Sequence, residues 1–221
     1  MISLFLDTSN FRLVVGVVDE KENKILSYYN EKLSGDLSAK IFEVIKYCID
    51  SANIKPINID KIYCVNGPGS FTGVRIGVTI CKTFAWTLNK KVIPISSLEV
   101  LASTNEEFDI IIGAIDARRN CVFAGAYDKQ LNEVINDKYI SVEDLKLELG
   151  SRKYCVIADD EIEGLDNIYK PNLDILKVIN KHKNDEDVNP HKLNPNYLKI
   201  TEAEANLKKE KWLVLQMIYQ L

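Results

Sequence analysis

Apolar residues gather along this chain in short runs divided by polar turns. Residues 2–6 form one run that ends at Asp7, Thr8 and Ser9, residues 13–18 (nearly all Val and Leu) a second, and residues 25–29 a third. Short polar turns between them predict a three-stranded meander, and the unbroken apolar character of the first two predicts strands covered on both faces. From Asp36 or Ser38, either of which can cap, the spacing becomes helical to about Ala52, with Leu37, Ile41, Val44, Ile45, Cys48, Ile49 and Ala52 in a wide stripe and Phe42 at its edge. Residues 59–65 then read as a strand, 74–88 as a helix, 92–95 as a strand and 97–103 as a helix. Beyond them, 109–116 and 121–127 read as strands paired across Ala117 to Asn120. Between 128 and 195 the signals weaken, leaving a strand at 154–158, a short helix at 173–180 and a polar loop at 182–191. A helix at 203–219, with Trp212, Leu215 and Ile218 on one face, closes the chain and is expected to pack back on the body. The order predicts an α/β lobe over 1–103 and a sketchier second lobe over 104–221.

The 74–88 helix has more apolar surface than one sheet can cover. Val74, Val78, Cys81, Ala85 and Leu88 share one face, while Ile76, Ile80 and Phe84 form a second with Gly77 alongside. Arg75, Thr79 and Lys82 make a polar seam that Trp86 extends. A helix apolar on two sides is buried on two sides. Together with the stripe at 36–52, the second faces would expose a patch on the order of several hundred Å², at or beyond what monomers show. These positions, Leu37, Ile41, Val44, Ile45, Cys48, Ile76, Gly77, Ile80 and Phe84, are therefore expected to form a helix–helix interface, with Gly77 admitting a partner backbone. The alternative is that the second lobe covers them.

A net charge of −4 gives no electrostatic reason for strong nucleic-acid binding by this chain alone. The basic clusters at 118–119, 152–153 and 208–211 each sit beside acids and read as solvated surface. Five cysteines, widely spaced and without a CxxC pair, argue against a disulfide framework or a zinc site and for small buried hydrophobes. The start MISLFLDTSN lacks the pattern of a signal peptide and no run approaches membrane-spanning length, so a cytoplasmic protein is expected.

Candidate chemistry centres on GPGSFTGVRIG, residues 67–77, with Gly67, Pro68, Gly69, Ser70, Phe71, Thr72, Gly73 and Arg75 as its carriers. A glycine-rich turn opening a helix suggests an anion site. No Gly-Lys-Ser/Thr follows, so it is not a P-loop, and GxGxxxG is one residue too long for a dinucleotide fingerprint. Thr72 reads as the helix N-cap; neither it nor Ser70 has a histidine base nearby that would make it a nucleophile. Arg75 is placed to hold the loop through a carboxylate or carbonyls, or to meet an anion. Asp7 and Asp116 end strands that could face a shared cleft, and strand-end turn capping is the simpler role for both. His182 and His191, nine residues apart, are too few for a metal site and read as structural or solvent-exposed.

Four segments in order resemble the TsaB family, also called YeaZ. GPGSFTGVRIG resembles the family hallmark, LFLDTSN (4–10) its opening strand and turn, IDARRNCVFAGAYD (115–128) its Asp-Ala-Arg segment, and NPNYLK (194–199) its Pro-x-Tyr-Leu-Arg tail, with Lys199 in place of arginine. SSLEVLA (96–102) lies at the family's usual distance from the hallmark. The resemblance implies a two-lobed fold of the actin, hexokinase and heat-shock-chaperone ATPase class with a reduced second lobe. It implies a non-catalytic subunit, without cofactor, in the machinery that makes threonylcarbamoyladenosine in tRNA beside the anticodon. It further implies a heterodimer with the catalytic paralogue TsaD through the two helices above, a homodimer when TsaD is absent, a third protein TsaE joining the pair, and tRNA reached mainly through the complex. That paralogue carries paired metal-holding histidines on its first-lobe helix; GDLSAKIFEVIKYCID (35–50) has none. An independent kinase or ATPase of the same fold is the alternative, and a metalloprotease is weakened by the missing histidines.

Overall fold

In a computed structural model the described residues are 1–10, 12–32, 35, 37–104 and 107–199. The expected closing helix at 203–219 and the capping candidate Asp36 lie outside them. The first sheet contains β1 (Ile2–Asp7), β2 (Arg12–Asp19), β3 (Lys24–Lys32), β4 (Lys61–Gly67) and β5 (Lys91–Ser96) in the order β3-β2-β1-β4-β5. The second contains β6 (Ile110–Asp116), β7 (Cys121–Tyr127), β8 (Glu133–Ser141), β9 (Tyr154–Ile157) and β10 (Ile168–Tyr169) in the order β8-β7-β6-β9-β10. In both, the first strand is central, antiparallel to the second and parallel to the fourth, and the third and fifth lie at the edges. The same topology thus occurs twice, although the sequence shows no residue-level repeat. This is the two-lobed α/β architecture that the fold-class expectation named.

Helices α1 (Leu37–Ser51), α2 (Phe71–Thr87), α3 (Ser97–Ala102), α4 (Val142–Leu149) and α5 (Ile175–His182) fill the layers around the sheets. Strand alternation decides which layer each side chain joins. On β1, Leu4 and Leu6 face an outer core with α1 and α2, while Phe5 faces an inner one. Leu13, Val15 and Val17 of β2 and Ile62 and Cys64 of β4 face outward likewise, with Val14, Val18, Tyr63 and Val65 inward. That inner core is shared: Leu98, Val100 and Leu101 of α3, Ile175, Val178 and Ile179 of α5, and Ile111, Tyr127, Cys155 and Ile157 of the second sheet all enter it. A third core lies between the far face of that sheet and α4. The molecule is therefore helices, sheet, helices, sheet, helix, and one continuous apolar layer joins the two lobes. At about 1.5–3 kcal/mol for each large apolar side chain buried, that layer holds the lobes together more firmly than a polar hinge would.

The lobes differ at one step. In the first, β4 leads into the long α2; in the second, residues 158–167 between β9 and β10 form no helix. The reduction of the second lobe lies there. Beyond α5 the chain returns to the first lobe. Val188 bridges Val92 of β5, and a 3-10 turn at Pro190–Lys192 packs on α2. Leu193 is buried in the outer core, and the Asn196 amide donates to the Asn66 carbonyl at 2.7 Å. This strap flanks α2 from end to end, with His191 against Trp86 and Tyr197 against Phe71.

Candidate functional site

The glycine motif is built around the end of β1. Asp7 Oδ1 accepts from the Ser9 amide at 2.7 Å and from Ser9 Oγ at 2.6 Å, closing the turn after the strand. That turn lies directly on α2. The Ser9 carbonyl accepts from the Ser70 amide at 2.7 Å, and Thr8 Oγ1 donates to the Gly73 carbonyl at 2.7 Å. A Cβ on Gly69, Gly73 or Gly77 would collide with the Ser9 carbonyl, the Thr8 carbonyl and Thr8 Oγ1 respectively. The three glycines make a groove for the chain's own turn. Gly77, expected to admit a partner backbone, faces Thr8 inside the lobe instead.

Helix α2 also begins earlier than its apolar period suggests. Ser70, not Thr72, is the N-cap, its Oγ accepting from the Gly73 amide at 3.3 Å. Thr72, its side chain exposed, lies in the first turn. Apolar spacing cannot see a first turn made of Phe71, Thr72 and Gly73, so the period begins only at Val74. With Ser70 N bound to Ser9 and Gly73 N to Ser70, two of the amides that an anion would seek already have partners. Ahead of them, the Gly67–Pro68 peptide bond is cis and the Pro68 carbonyl accepts from Ser97 Oγ. Among the described residues Arg75 meets neither a carboxylate nor a backbone carbonyl. Its Nε donates to the Tyr197 hydroxyl at 2.6 Å, and its guanidinium lies 3.7 Å from the centre of the Phe71 ring. Phe71 stacks on Tyr197 with ring centroids 5.8 Å apart. Arg75 thus ties the strap to the motif.

A cleft of about 600 Å³ opens between the lobes, bounded by Asn10 and residues 69–71 on one side and by residues 114–118, Phe123 and residues 158–162 on the other. Asp159 at its wall has both oxygens engaged, one by Asn10 Nδ2 at 2.7 Å and one by Arg12 Nε at 2.6 Å. Asp116 accepts from the Arg118 amide at 2.9 Å, in a hairpin whose residues Arg118, Arg119 and Asn120 are all left-handed, with φ of 64°, 55° and 57°. Among the described lining residues Arg118 stands as the cation against Asp116, Asp159, Asp160 and Glu161. Asp159 and Asp160 are in turn paired with Arg12 and Lys32, so cations behind the wall balance these two acids. Asp7 is not part of it. It is buried beneath, and burial, with the Asp159 charge adding to it, raises its carboxyl to about 6 despite the Ser9 hydrogen bonds. No grouping of three or more His, Cys, Asp or Glu suited to a metal occurs among the described residues, and no helix among them is long and apolar enough to cross a membrane.

The outer helical layer sorts the expected interface residues. Ile41, Val44, Ile45 and Cys48 of α1 and Gly77 and Ile80 of α2 are buried in the chain's own outer core. Leu37, Ile76 and Phe84 are half-buried at its margin. The wide stripes are therefore mostly consumed by the sheet beneath and by the strap. What α1 offers outward is Phe42, at the edge of the apolar stripe, and Tyr47, outside it, 61% and 59% exposed. Cys48, Cys64 and Cys81 are buried free thiols, Cys155 is buried and Cys121 half-buried. His182, placed by the sequence in a polar loop, ends α5, with Nε2 2.9 Å from Glu99 and Nδ1 2.6 Å from Asp185.

A family model described as "TsaD: tRNA N6-adenosine threonylcarbamoyltransferase" matches residues 30–170. A Bacillus subtilis protein named tRNA threonylcarbamoyladenosine biosynthesis protein TsaB is 31% identical over 237 aligned positions, covering 98% of this chain and 100% of that protein. The chain belongs to the TsaB family. A Haemophilus influenzae protein of the same name is 32% identical over 123 positions, 54% of this chain and 51% of that one. A solved structure titled YeaZ from Pseudomonas aeruginosa superposes with a TM-score of 0.77 at 22% identity, covering 89% of this chain and 99% of that one, so this chain shares its fold.

Two outcomes follow for this TsaB-family site. Gly77→Ala should destabilise the protein by about 1–3 kcal/mol through overpacking, beyond the roughly 1 kcal/mol that alanine gains in a helix. Adding Thr8→Ala should recover part of the loss; simple additivity in urea denaturation would show that the groove is not what the glycine serves. Asp7 has a raised folded pKa, so its favourable contribution is present below the unfolded value of 3.8 and is lost as pH rises through about 6. Asp7→Asn should therefore gain on the wild type between pH 4 and 7, by up to about 3 kcal/mol for a shift of this size. Parallel stability curves for the two proteins would refute that assignment.

Proposed function

We propose that this chain is a non-catalytic subunit in threonylcarbamoyladenosine modification of tRNA, acting as the partner of a TsaD-type catalytic subunit, with a TsaE-type ATPase joining the pair. Family membership supports the pathway. The observation that carries the non-catalytic role is the occupied groove: Thr8 and Ser9 fill the space over Gly69, Gly73 and Gly77 where a nucleotide-binding lobe would keep amides free for phosphate. The role of α1 and α2 as the contact surface rests on their outermost position, with exposed Phe42 and Tyr47 and half-buried Leu37, Ile76 and Phe84. On this reading Ile41, Val44, Ile45, Cys48 and Ile80 shape the surface from below rather than touch the partner. Self-association through the same face is the alternative state of the free chain, and tRNA is met through the assembled complex. The work is done in the cytoplasm, where tRNA is modified.

A second reading, an independent kinase or ATPase, draws on the open cleft with Asp116 and Arg118. Two measurements separate them. Phe42→Glu with Tyr47→Glu, both at exposed positions, should weaken binding to the TsaD protein of the same organism by at least about tenfold, because a buried aromatic at such a centre is worth about 2 kcal/mol or more. Unchanged affinity would remove this face from the interface. Calorimetry of the chain alone with Mg–ATP should give no low-micromolar binding; such binding with turnover would favour the enzyme.

A further inference from the structure

The contact between α3 and α5 contains a histidine held between two carboxylates. Glu99, in the first turn of α3, is buried, and both its oxygens lie 2.9 Å from His182 Nε2, while its Oε1 also takes Lys181 Nζ at 2.9 Å. On the other side of the ring, Nδ1 lies 2.6 Å from Asp185 Oδ2, a carboxylate about half exposed. α3 belongs to the first lobe and follows its sheet; α5 follows the second. The cluster therefore spans the lobes beside the shared apolar layer formed by Val100, Leu101, Val178 and Ile179.

A neutral imidazole has one N–H and one lone pair. With a carboxylate oxygen at hydrogen-bond distance from each nitrogen, a neutral ring must turn its lone pair on one of them. The imidazolium satisfies both. We propose that His182 is a pH-dependent lock between the lobes: as an imidazolium it binds Glu99 and Asp185 together, and losing that proton loosens α5 from α3. Lys181 keeps a counter-charge on Glu99 after the proton leaves, so the effect is a loosening of the contact and not its rupture. Asp185 then turns to solvent.

The surroundings agree. Burial by itself would push His182 down, but the hydrogen bonds and charges of Glu99 and Asp185 outweigh it and raise the imidazole above 6.5. Facing the cluster from β7 and β8 are Tyr127 and Asp137, hydrogen-bonded at 2.5 Å, with Asp137 raised by burial against the bonds from Ser96 and Tyr127. From β4 come Tyr63, bonded to Glu20 of the β2–β3 turn, and Lys61, whose Nζ donates to the Lys183 carbonyl at 2.7 Å. Tyr63 and Tyr127 are raised by burial, so neither loses its proton where His182 does. Asp7, raised to about 6, titrates in the same range, and it lies at the end of β1.

The sign is fixed by the raised folded pKa. The stabilisation is fully present below the unfolded value near 6.5 and is lost as pH rises through the folded value. The chain has two histidines, so NMR titration of the full-length protein resolves both, with His182→Gln giving the assignment. The expected result is a His182 midpoint above 6.5. The ratio of folding constants, wild type to His182→Gln, should be largest below pH 6.5 and fall tenfold for each unit of that shift; taking the ratio cancels Asp7. Amide exchange in α5, corrected for intrinsic rates, should quicken over the same range. If the glutamine variant fails to fold, Glu99→Gln should lower the His182 midpoint instead. A midpoint at or below 6.5, or a ratio independent of pH, would overturn the lock.

Discussion

The close seating of the Thr8–Ser9 turn on α2 is the constraint on which the rest of this structure depends. It fixes where β1 stops, how near the helix lies to the sheet, and what the helix N-terminus can bind. Gly69, Gly73 and Gly77 leave out the three Cβ atoms that would forbid it. Once the turn is seated, Ser70 caps the helix, and its own amide and that of Gly73 answer to the chain's own oxygens. A glycine-rich turn before a helix is commonly a phosphate cradle. Here the same chemistry serves packing, and the helix it launches is held outermost.

The layer order extends that consequence. With α1 and α2 outside the first sheet and α3 and α5 between the sheets, the lobes share one apolar core. Enzymes that close on substrate draw their moving elements from weakly packed regions. The seam here instead holds buried aliphatic side chains together with the Arg12–Asp159 and Lys181–Glu99 ion pairs. A chain so joined presents a fixed outer face. The strap adds to the rigidity, since Arg75, Phe71 and Tyr197 clamp its far end at the motif.

Much of this was legible in the residues because burial and periodicity report the same thing. β1, β2 and β7 are covered on both faces and read as continuous apolar runs; β7 matches its expected bounds. The stretch after 128 was opaque for a physical reason. β8 carries Asn136, Asp137 and Lys138 mid-strand, and Asp137 turns inward to Tyr127 and Ser96, so polar residues sit where alternation expects apolar ones. α4 follows unread, although Ser141 accepting from the Asp144 amide at 3.0 Å is a cap that the sequence advertises. The interface positions were sorted only in part. Periodicity locates an apolar stripe but not its edges, and Phe42 and Tyr47 lie at those edges. Gly77 shows the same limit: a glycine announces close approach without saying what approaches.

The central claim is that the outer helical layer, not the interlobe cleft, is what this chain contributes. Reconstituted threonylcarbamoylation of tRNA, with TsaD and TsaE proteins of the same organism and an Asp116→Asn, Arg118→Ala form of this chain, tests it most directly. The account predicts modification at the wild-type rate, since both changes lie in the cleft. Loss of modification with binding to TsaD intact would contradict it and place chemistry in the cleft.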